Sequence, residues 1–175
     1  MNLPNKLTIA RVIAVPFFIV AFLLEWYLPA FLIFVIASFT DFLDGKIARD
    51  RGLVTNFGKI MDPLADKILV YSAFCLFVES GVVPGWMLIV ILAREFAVAG
   101  MRTVAASEGI VIAAGMSGKI KTVLQMLTVP ILILGSGYYE SILMPAGNVV
   151  LWASLIATVY SGAEYIIQNK KVFSM

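Results

Sequence analysis

Six long apolar segments constrain this chain more than any other feature of its sequence. Hydrophobic residues make up 61% of the 175 residues and charged residues only 14%, against about 45–50% and about 25% in a soluble domain. A helix that crosses a bilayer needs about 20 mostly apolar residues. Six segments approach or exceed that length: 7–24, 28–49, 58–78, 82–105, 118–134 and 147–167. The sequence therefore predicts an all-α, polytopic membrane protein with six transmembrane helices, and a single domain over residues 1–175.

The charged residues around these segments separate by sign. The connections after the first, third and fifth segments carry Glu25, Glu79 and Glu140, and no lysine or arginine. Basic residues gather instead at the chain ends and beside the even-numbered connections: Lys6, Arg11, Lys46, Arg49, Arg51, Lys59, Lys119, Lys121, Lys170 and Lys171. Because lysine and arginine concentrate on the cytoplasmic side of membrane proteins, both termini are predicted to be cytoplasmic.

Composition also limits the chemistry that the chain can perform. It has no histidine, the usual general base near neutral pH, and its one cysteine, Cys75, excludes an intramolecular disulfide or a thiolate cluster. Acid–base and metal chemistry therefore depend on carboxylates. The net charge of +2 provides no broad basic field, so we expect no nucleic-acid partner.

Four aspartates lie where the second apolar segment ends and the third begins. Asp41 and Asp44 are three residues apart, and Asp62 and Asp66 four, so each pair occupies one face of its helix. The short connection makes the two helices antiparallel neighbours, and the pairs can converge at the cytoplasmic end. Crowded carboxylates require cations, and oxygen ligands without histidine or cysteine select Mg²⁺ or Mn²⁺. Two such ions commonly accompany a diphosphate substrate.

The residues around the aspartates complete a longer pattern. Gly45 and Gly58 allow a phosphate to approach the backbone closely, and Arg49 is placed to contact it. The pattern Asp-x2-Asp-Gly-x2-Ala-Arg-x8-Gly-x3-Asp-x3-Asp runs from Asp41 to Asp66 with every fixed position filled. It resembles the signature of the CDP-alcohol phosphatidyltransferase family.

This resemblance implies roles for individual residues. Asp41, Asp44 and Asp62 would ligate two divalent metal ions, and Asp66 would be both a ligand and the general base. The CDP pocket would include Gly45, Ala48, Arg49 and Gly58, bordered by Asn5 and Thr8. For Asn5 and Thr8, helix capping is the alternative role. The resemblance further implies a homodimer in the bacterial plasma membrane, with the active site facing the cytoplasm.

Basic residues in the later segments indicate the acceptor alcohol. The sequences around Arg94-Glu95-Phe96 and Lys119–Lys121, with the N-terminal residues 2–11, resemble bacterial family members that use glycerol 3-phosphate. A small dianion needs fixed positive charge, and a guanidinium inside an apolar segment is costly unless it has a partner. The predicted acceptor site consists of Arg94, Lys119, Arg102, Lys121 and Lys59. Alternatively, Arg94 pairs with Glu95 or an aspartate, and the lysines anchor the chain at anionic headgroups.

The predicted reaction is transfer of a phosphatidyl group from CDP-diacylglycerol to glycerol 3-phosphate with release of CMP. Two alternatives remain. Another family member would make cardiolipin, phosphatidylserine or a phosphatidylinositol phosphate. A divalent-cation carrier would also place carboxylates within the membrane, but it needs them near the midplane with access from both sides.

Overall fold

The computed structural model describes residues 3–50, 56–110, 112 and 115–170. This part of the chain forms helices and no β-strands. The six helices are α1 (Leu3–Leu23), α2 (Tyr27–Asp50), α3 (Asn56–Glu79), α4 (Gly85–Ser107), α5 (Met116–Gly137) and α6 (Glu140–Gln168). Each overlaps one of the six apolar segments, so the all-α prediction is confirmed.

The turn between α5 and α6 is shorter than the sequence suggests. The Gly135–Gly137 region resembles a loop because glycine breaks helices, yet it continues α5, and α6 begins at Glu140. Close packing explains the glycine, since a Cβ atom at Gly135 would lie 3.1 Å from the backbone nitrogen of Met144. Here the missing side chain lets two helices approach each other.

An aromatic cluster fixes the first three helices at the end away from the aspartates. The rings of Phe18 and Phe34 are 6.1 Å apart, and those of Phe22 and Phe77 are 5.6 Å apart with their edges facing. Phe18, Phe34 and Phe77 are almost completely buried. Each such pair contributes about 0.5–1.5 kcal/mol beyond the burial of apolar area, so these contacts stabilise the packing of α1 against α2 and α3.

The outer surface is apolar, as a bilayer requires. Large side chains such as Phe17, Phe96 and Val149 are mostly exposed. Within the described residues, three helices are long and apolar enough to cross a membrane: Asn5–Leu23, Met116–Gly137 and Glu140–Gln168. A shorter apolar helix covers Tyr27–Thr40. The chain is thus a multi-pass helical membrane protein, while the six-span count, the cytoplasmic termini and the single domain stay predictions.

Candidate active site

One face of α1 is polar and buried where the helix approaches the aspartate region. Asn5, Thr8 and Arg11 follow one another at intervals of three residues, and all three are buried. The Thr8 hydroxyl donates a hydrogen bond of 2.5 Å to Oδ1 of Asp62. Thr8 therefore orients a carboxylate and does not cap α1, which begins at Leu3. Arg11 was predicted only as one of the cytoplasmic charges, but its Nε donates a hydrogen bond to the carbonyl oxygen of Ala37 over 3.2 Å.

The four aspartates lie on two neighbouring helices. Asp62 and Asp66 are one turn apart on α3, and both are partly buried. Asp41 and Asp44 are one turn apart near the end of α2, and α2 contacts α3. Five predicted site residues on α2 have side chains outside the described part of the structure: Asp41, Asp44, Gly45, Ala48 and Arg49. On α3, Gly58 is buried, while the Lys59 side chain is also outside that part.

The donor chemistry of this region suits a hard divalent cation. Asp62 and Asp66 supply oxygen ligands only, and the fixed orientation of Asp62 by Thr8 is the kind of second contact that metal-binding carboxylates commonly have. Among the described side chains no group of three or more acidic, histidine or cysteine residues comes together. The two-metal site therefore stays a prediction that also requires Asp41 and Asp44.

A buried ionic cluster lies on the α5 side of these aspartates. Glu95 on α4 is only 7% exposed. Its Oε1 accepts a hydrogen bond from Nη1 of Arg94 at 2.9 Å and also pairs with Nζ of Lys121. Its other oxygen is 3.4 Å from Nζ of Lys67. We call these four residues the Glu95 cluster. Three cations and one carboxylate leave it with an excess of two positive charges.

A glycine on α6 makes room for the Arg94 side chain. A Cβ atom at Gly162 would lie 2.9 Å from Cγ of Arg94, whereas one at Gly118 on α5 would lie 3.5 Å from its Nη2, an ordinary van der Waals distance. The guanidinium is therefore held where α4, α5 and α6 meet. The alternative in which Arg94 pairs with Glu95 is observed. The paired guanidinium nevertheless lines a cavity.

Residues of the Glu95 cluster form a wall between two adjoining cavities. The larger, of about 800 Å³, is lined by four of the five predicted acceptor residues: Arg94, Arg102, Lys119 and Lys121. The smaller, of about 80 Å³, is lined by Asp66, Tyr71, Glu95 and Lys121. Lys67, Glu95, Lys121 and Thr122 border both. The candidate base and the candidate phosphate ligands thus face adjoining spaces.

Lys119 and Arg102, at the rim of the larger cavity, are more exposed than Arg94 and Lys121 of the Glu95 cluster. Lys119 is exposed. Arg102 is exposed as well, but its Nε donates to the hydroxyl of Tyr165 over 3.2 Å and its guanidinium lies over the same ring at 5.4 Å. The contact with Tyr165 holds Arg102 at the cavity edge.

Three residues at this site had no assigned role in the prediction from the sequence. Glu95 was considered only as a possible partner for Arg94, and neither Lys67 nor Tyr71 was assigned to the site. The signal for Glu95 was the same one that identified Arg94, a charge within an apolar segment. Tyr71, which lies beside Glu95 at a small cavity, had no comparable signal.

An all-α membrane fold that groups carboxylates and cations between its helices fits a membrane protein that handles charged substrates. The model of the family described as CDP-alcohol phosphatidyltransferase matches residues 1–160. The chain belongs to this family, as the aspartate pattern predicted.

Curated relatives match over nearly the whole chain. A Bacillus subtilis protein named CDP-diacylglycerol–glycerol-3-phosphate 3-phosphatidyltransferase is 44% identical, with 96% of this chain and 95% of the relative covered. A Rickettsia bellii protein of the same name is 41% identical, covering 98% and 97%. A Mycobacterium tuberculosis protein named probable phosphatidylglycerophosphate synthase is 35% identical, covering 94% and 80%.

Proposed function

We propose that this chain transfers the phosphatidyl group of CDP-diacylglycerol to glycerol 3-phosphate, giving phosphatidylglycerophosphate and CMP. The names of the Bacillus and Rickettsia relatives describe this reaction. The structural observation that carries the proposal is the shared wall of the two cavities, which sets Asp66 beside the cations of the Glu95 cluster. An acceptor that carries both a phosphate and a reactive hydroxyl needs such an arrangement.

Asp66 is the proposed general base. A base must lie within hydrogen-bonding reach of the proton that it removes, and the space beside Asp66 is large enough for a hydroxyl group. The hydroxyl oxygen attacks the phosphorus that bears diacylglycerol. The bond from that phosphorus to the CMP oxygen breaks, CMP leaves with the electron pair, and the hydroxyl proton passes to the Asp66 carboxylate.

The acceptor phosphate is proposed to bind the cations of the larger cavity. Lys121 and Arg94 form the buried part of this site, whereas Arg102 and Lys119 lie at its rim. Fixed cations that are partly removed from water attract a phosphate more strongly than solvated ones. Binding of the phosphate there leaves the hydroxyl end of the small acceptor directed towards Asp66.

The donor would bind at the aspartate region. Metal dependence is general in this family, and two Mg²⁺ or Mn²⁺ ions held by Asp41, Asp44, Asp62 and Asp66 would supply charge neutralisation for the diphosphate. The proposed CDP contacts are Gly45, Ala48, Arg49, Gly58, Asn5 and Thr8. The acyl chains remain among the helices, and the soluble substrates enter from the cytoplasmic side of the bacterial plasma membrane. We also propose a homodimer.

The experiment that tests this function is an acceptor panel with the purified chain in detergent. CDP-diacylglycerol is offered with glycerol 3-phosphate, phosphatidylglycerol, serine or inositol phosphate, in the presence of Mg²⁺ or Mn²⁺ and after chelation. We expect CMP release with glycerol 3-phosphate and its loss on chelation. If another acceptor reacts while glycerol 3-phosphate does not, the acceptor assignment is refuted. Turnover without metal would refute the proposed requirement for Mg²⁺ or Mn²⁺.

The same assay separates the enzyme from a cation carrier. A detergent micelle holds no ion gradient, so a carrier has no transport to perform there. Sustained CMP release in micelles supports the enzyme, and its absence for every acceptor with every metal supports the carrier.

A further inference from the structure

Glu95 holds together cations from three different helices. Lys67 comes from α3, Arg94 from α4 and Lys121 from α5, and Tyr71 of α3 lies beside Glu95 at the smaller cavity. Glu95 and Lys121 are both buried, at 7% and 4% exposure. Burial of charges is unfavourable unless their partners are well placed. The positions of the buried Arg94 and Lys121 side chains therefore depend on this one carboxylate, while the Lys67 side chain is 42% exposed.

We propose that Glu95 is a positioning residue for the acceptor site, which sets the number and spacing of the cations that face the acceptor phosphate. The inference rests on the proposed function and deepens it. An ammonium has three N–H donors and a guanidinium five. Glu95 occupies only part of that capacity on each cation, so donors remain for a phosphate at the cavity wall.

The charge of the Glu95 cluster matches the proposed ligand. A phosphate dianion carries two negative charges, which balance the cluster's excess of two positive charges. A neutral acceptor would gain nothing from three cations on one wall. The cluster therefore selects acceptors that carry a phosphate, and the hydroxyl that reacts is the one that reaches the Asp66 side of the shared wall.

Loss of the Glu95 charge has two opposing effects. It raises the formal positive charge of the wall, which favours an anion. It also leaves a buried Lys121 without its counter-ion, and because an unpaired buried ammonium is unfavourable, the side chain moves towards water. Because Lys121 is almost fully buried, the second effect dominates and acceptor binding weakens.

The test compares Glu95→Gln with the wild-type chain in the micelle assay. The KM of each substrate is measured with the other substrate saturating, and thermal unfolding is recorded alongside. We expect the KM for glycerol 3-phosphate to rise at least about tenfold, the size expected when a buried charge pair loses one partner. The KM for CDP-diacylglycerol should stay unchanged, because Glu95 lies on the acceptor side. Glu108→Gln is the matched control, since Glu108 is exposed at the end of the same helix.

A second variant keeps the inference testable if Glu95→Gln does not fold. Tyr71→Phe removes only the hydroxyl of a residue that lines the smaller cavity beside Glu95, and we expect a rise of about two- to tenfold in the same KM. A wild-type acceptor KM in either folded variant would overturn the inference. So would a parallel change in both KM values, because that pattern indicates a purely structural role.

Failure of the proposed function has a different signature. It is seen in the wild-type chain, when the panel identifies an acceptor other than glycerol 3-phosphate. If that acceptor is another phosphate ester, the KM comparison is repeated with it. A selective rise in its KM supports the inference, and an unchanged KM overturns it. If it is an uncharged or zwitterionic alcohol such as serine, the inference is overturned as well.

Discussion

Adding one methyl group at residue 162 is expected to damage the acceptor site while leaving the fold intact. In Gly162→Ala the new Cβ atom would lie 2.9 Å from Cγ of Arg94, whereas ordinary contacts begin at about 3.4 Å. The atom in the way belongs to a flexible side chain and not to backbone. Arg94 therefore retreats by about 0.5 Å or more, and its guanidinium moves away from Glu95 and the cavity.

The expected effects on stability and on activity differ in size. Alanine is favoured over glycine inside a helix by about 0.8–1.0 kcal/mol, and a displaced Arg94 rotamer costs about 0.5–1.5 kcal/mol. These contributions nearly cancel, so the free energy of unfolding should change by less than about 1 kcal/mol. A shift approaching 1 Å in a substrate-positioning group can cost about 100-fold in rate. We expect kcat/KM for glycerol 3-phosphate to fall by about 10- to 100-fold.

The assay combines acceptor kinetics with thermal unfolding in detergent, and Gly100→Ala is the control. Gly100 lies within α4, and a Cβ atom there would meet nothing within 4 Å, so this variant receives the same gain in helix propensity without moving Arg94. Wild-type kinetics in Gly162→Ala would refute the reasoning that Gly162 fixes the position of Arg94. Equal losses in both variants would refute it too.

Three further predictions concern the polar side chains individually. Thr8→Val removes the hydrogen bond to Asp62, a bond to a charged group worth about 1.5–3 kcal/mol. We expect kcat to fall at least about tenfold, while Ser107→Ala, at an exposed hydroxyl near the end of α4, should retain wild-type activity. Lys121→Gln should raise the acceptor KM far more than Lys119→Gln, because Lys121 is buried in the Glu95 cluster and Lys119 is exposed; equal effects in steady-state kinetics would contradict this ranking. Asp66→Asn should abolish turnover while nucleotide binding, measured by calorimetry, persists; an active variant would eliminate Asp66 as the general base.

The number and positions of the helices were predictable from hydrophobicity alone. A helix in lipid must satisfy its backbone hydrogen bonds internally, so an apolar segment of sufficient length has only one available structure. The error at Gly135 arose because glycine has two uses, helix termination and close helix packing. Only the position of Met144 on the facing helix distinguishes them, and no local pattern encodes that distance.

The candidate site was predictable where a charge stood in an apolar segment or within a spaced motif. Arg94 and Asp66 were found on that basis, and both border the adjoining cavities. The contact between Thr8 and Asp62 joins residues 54 positions apart, so it depends on how α1 packs against α3. Glu95 was visible as a charge, but its role depends on Lys67 and Lys121 arriving from two other helices.

The position of Glu95 also has a consequence for biogenesis. Arg94 and Glu95 lie near the middle of α4, where a charged residue raises the free energy of insertion by about 2.5–3.5 kcal/mol. During synthesis Lys67 precedes α4, but Lys121 emerges only with α5. The ionic contacts of Glu95 are therefore incomplete while α4 leaves the ribosome. For α4 as the predicted fourth span, we therefore expect stable integration into the bilayer to depend on the arrival of α5.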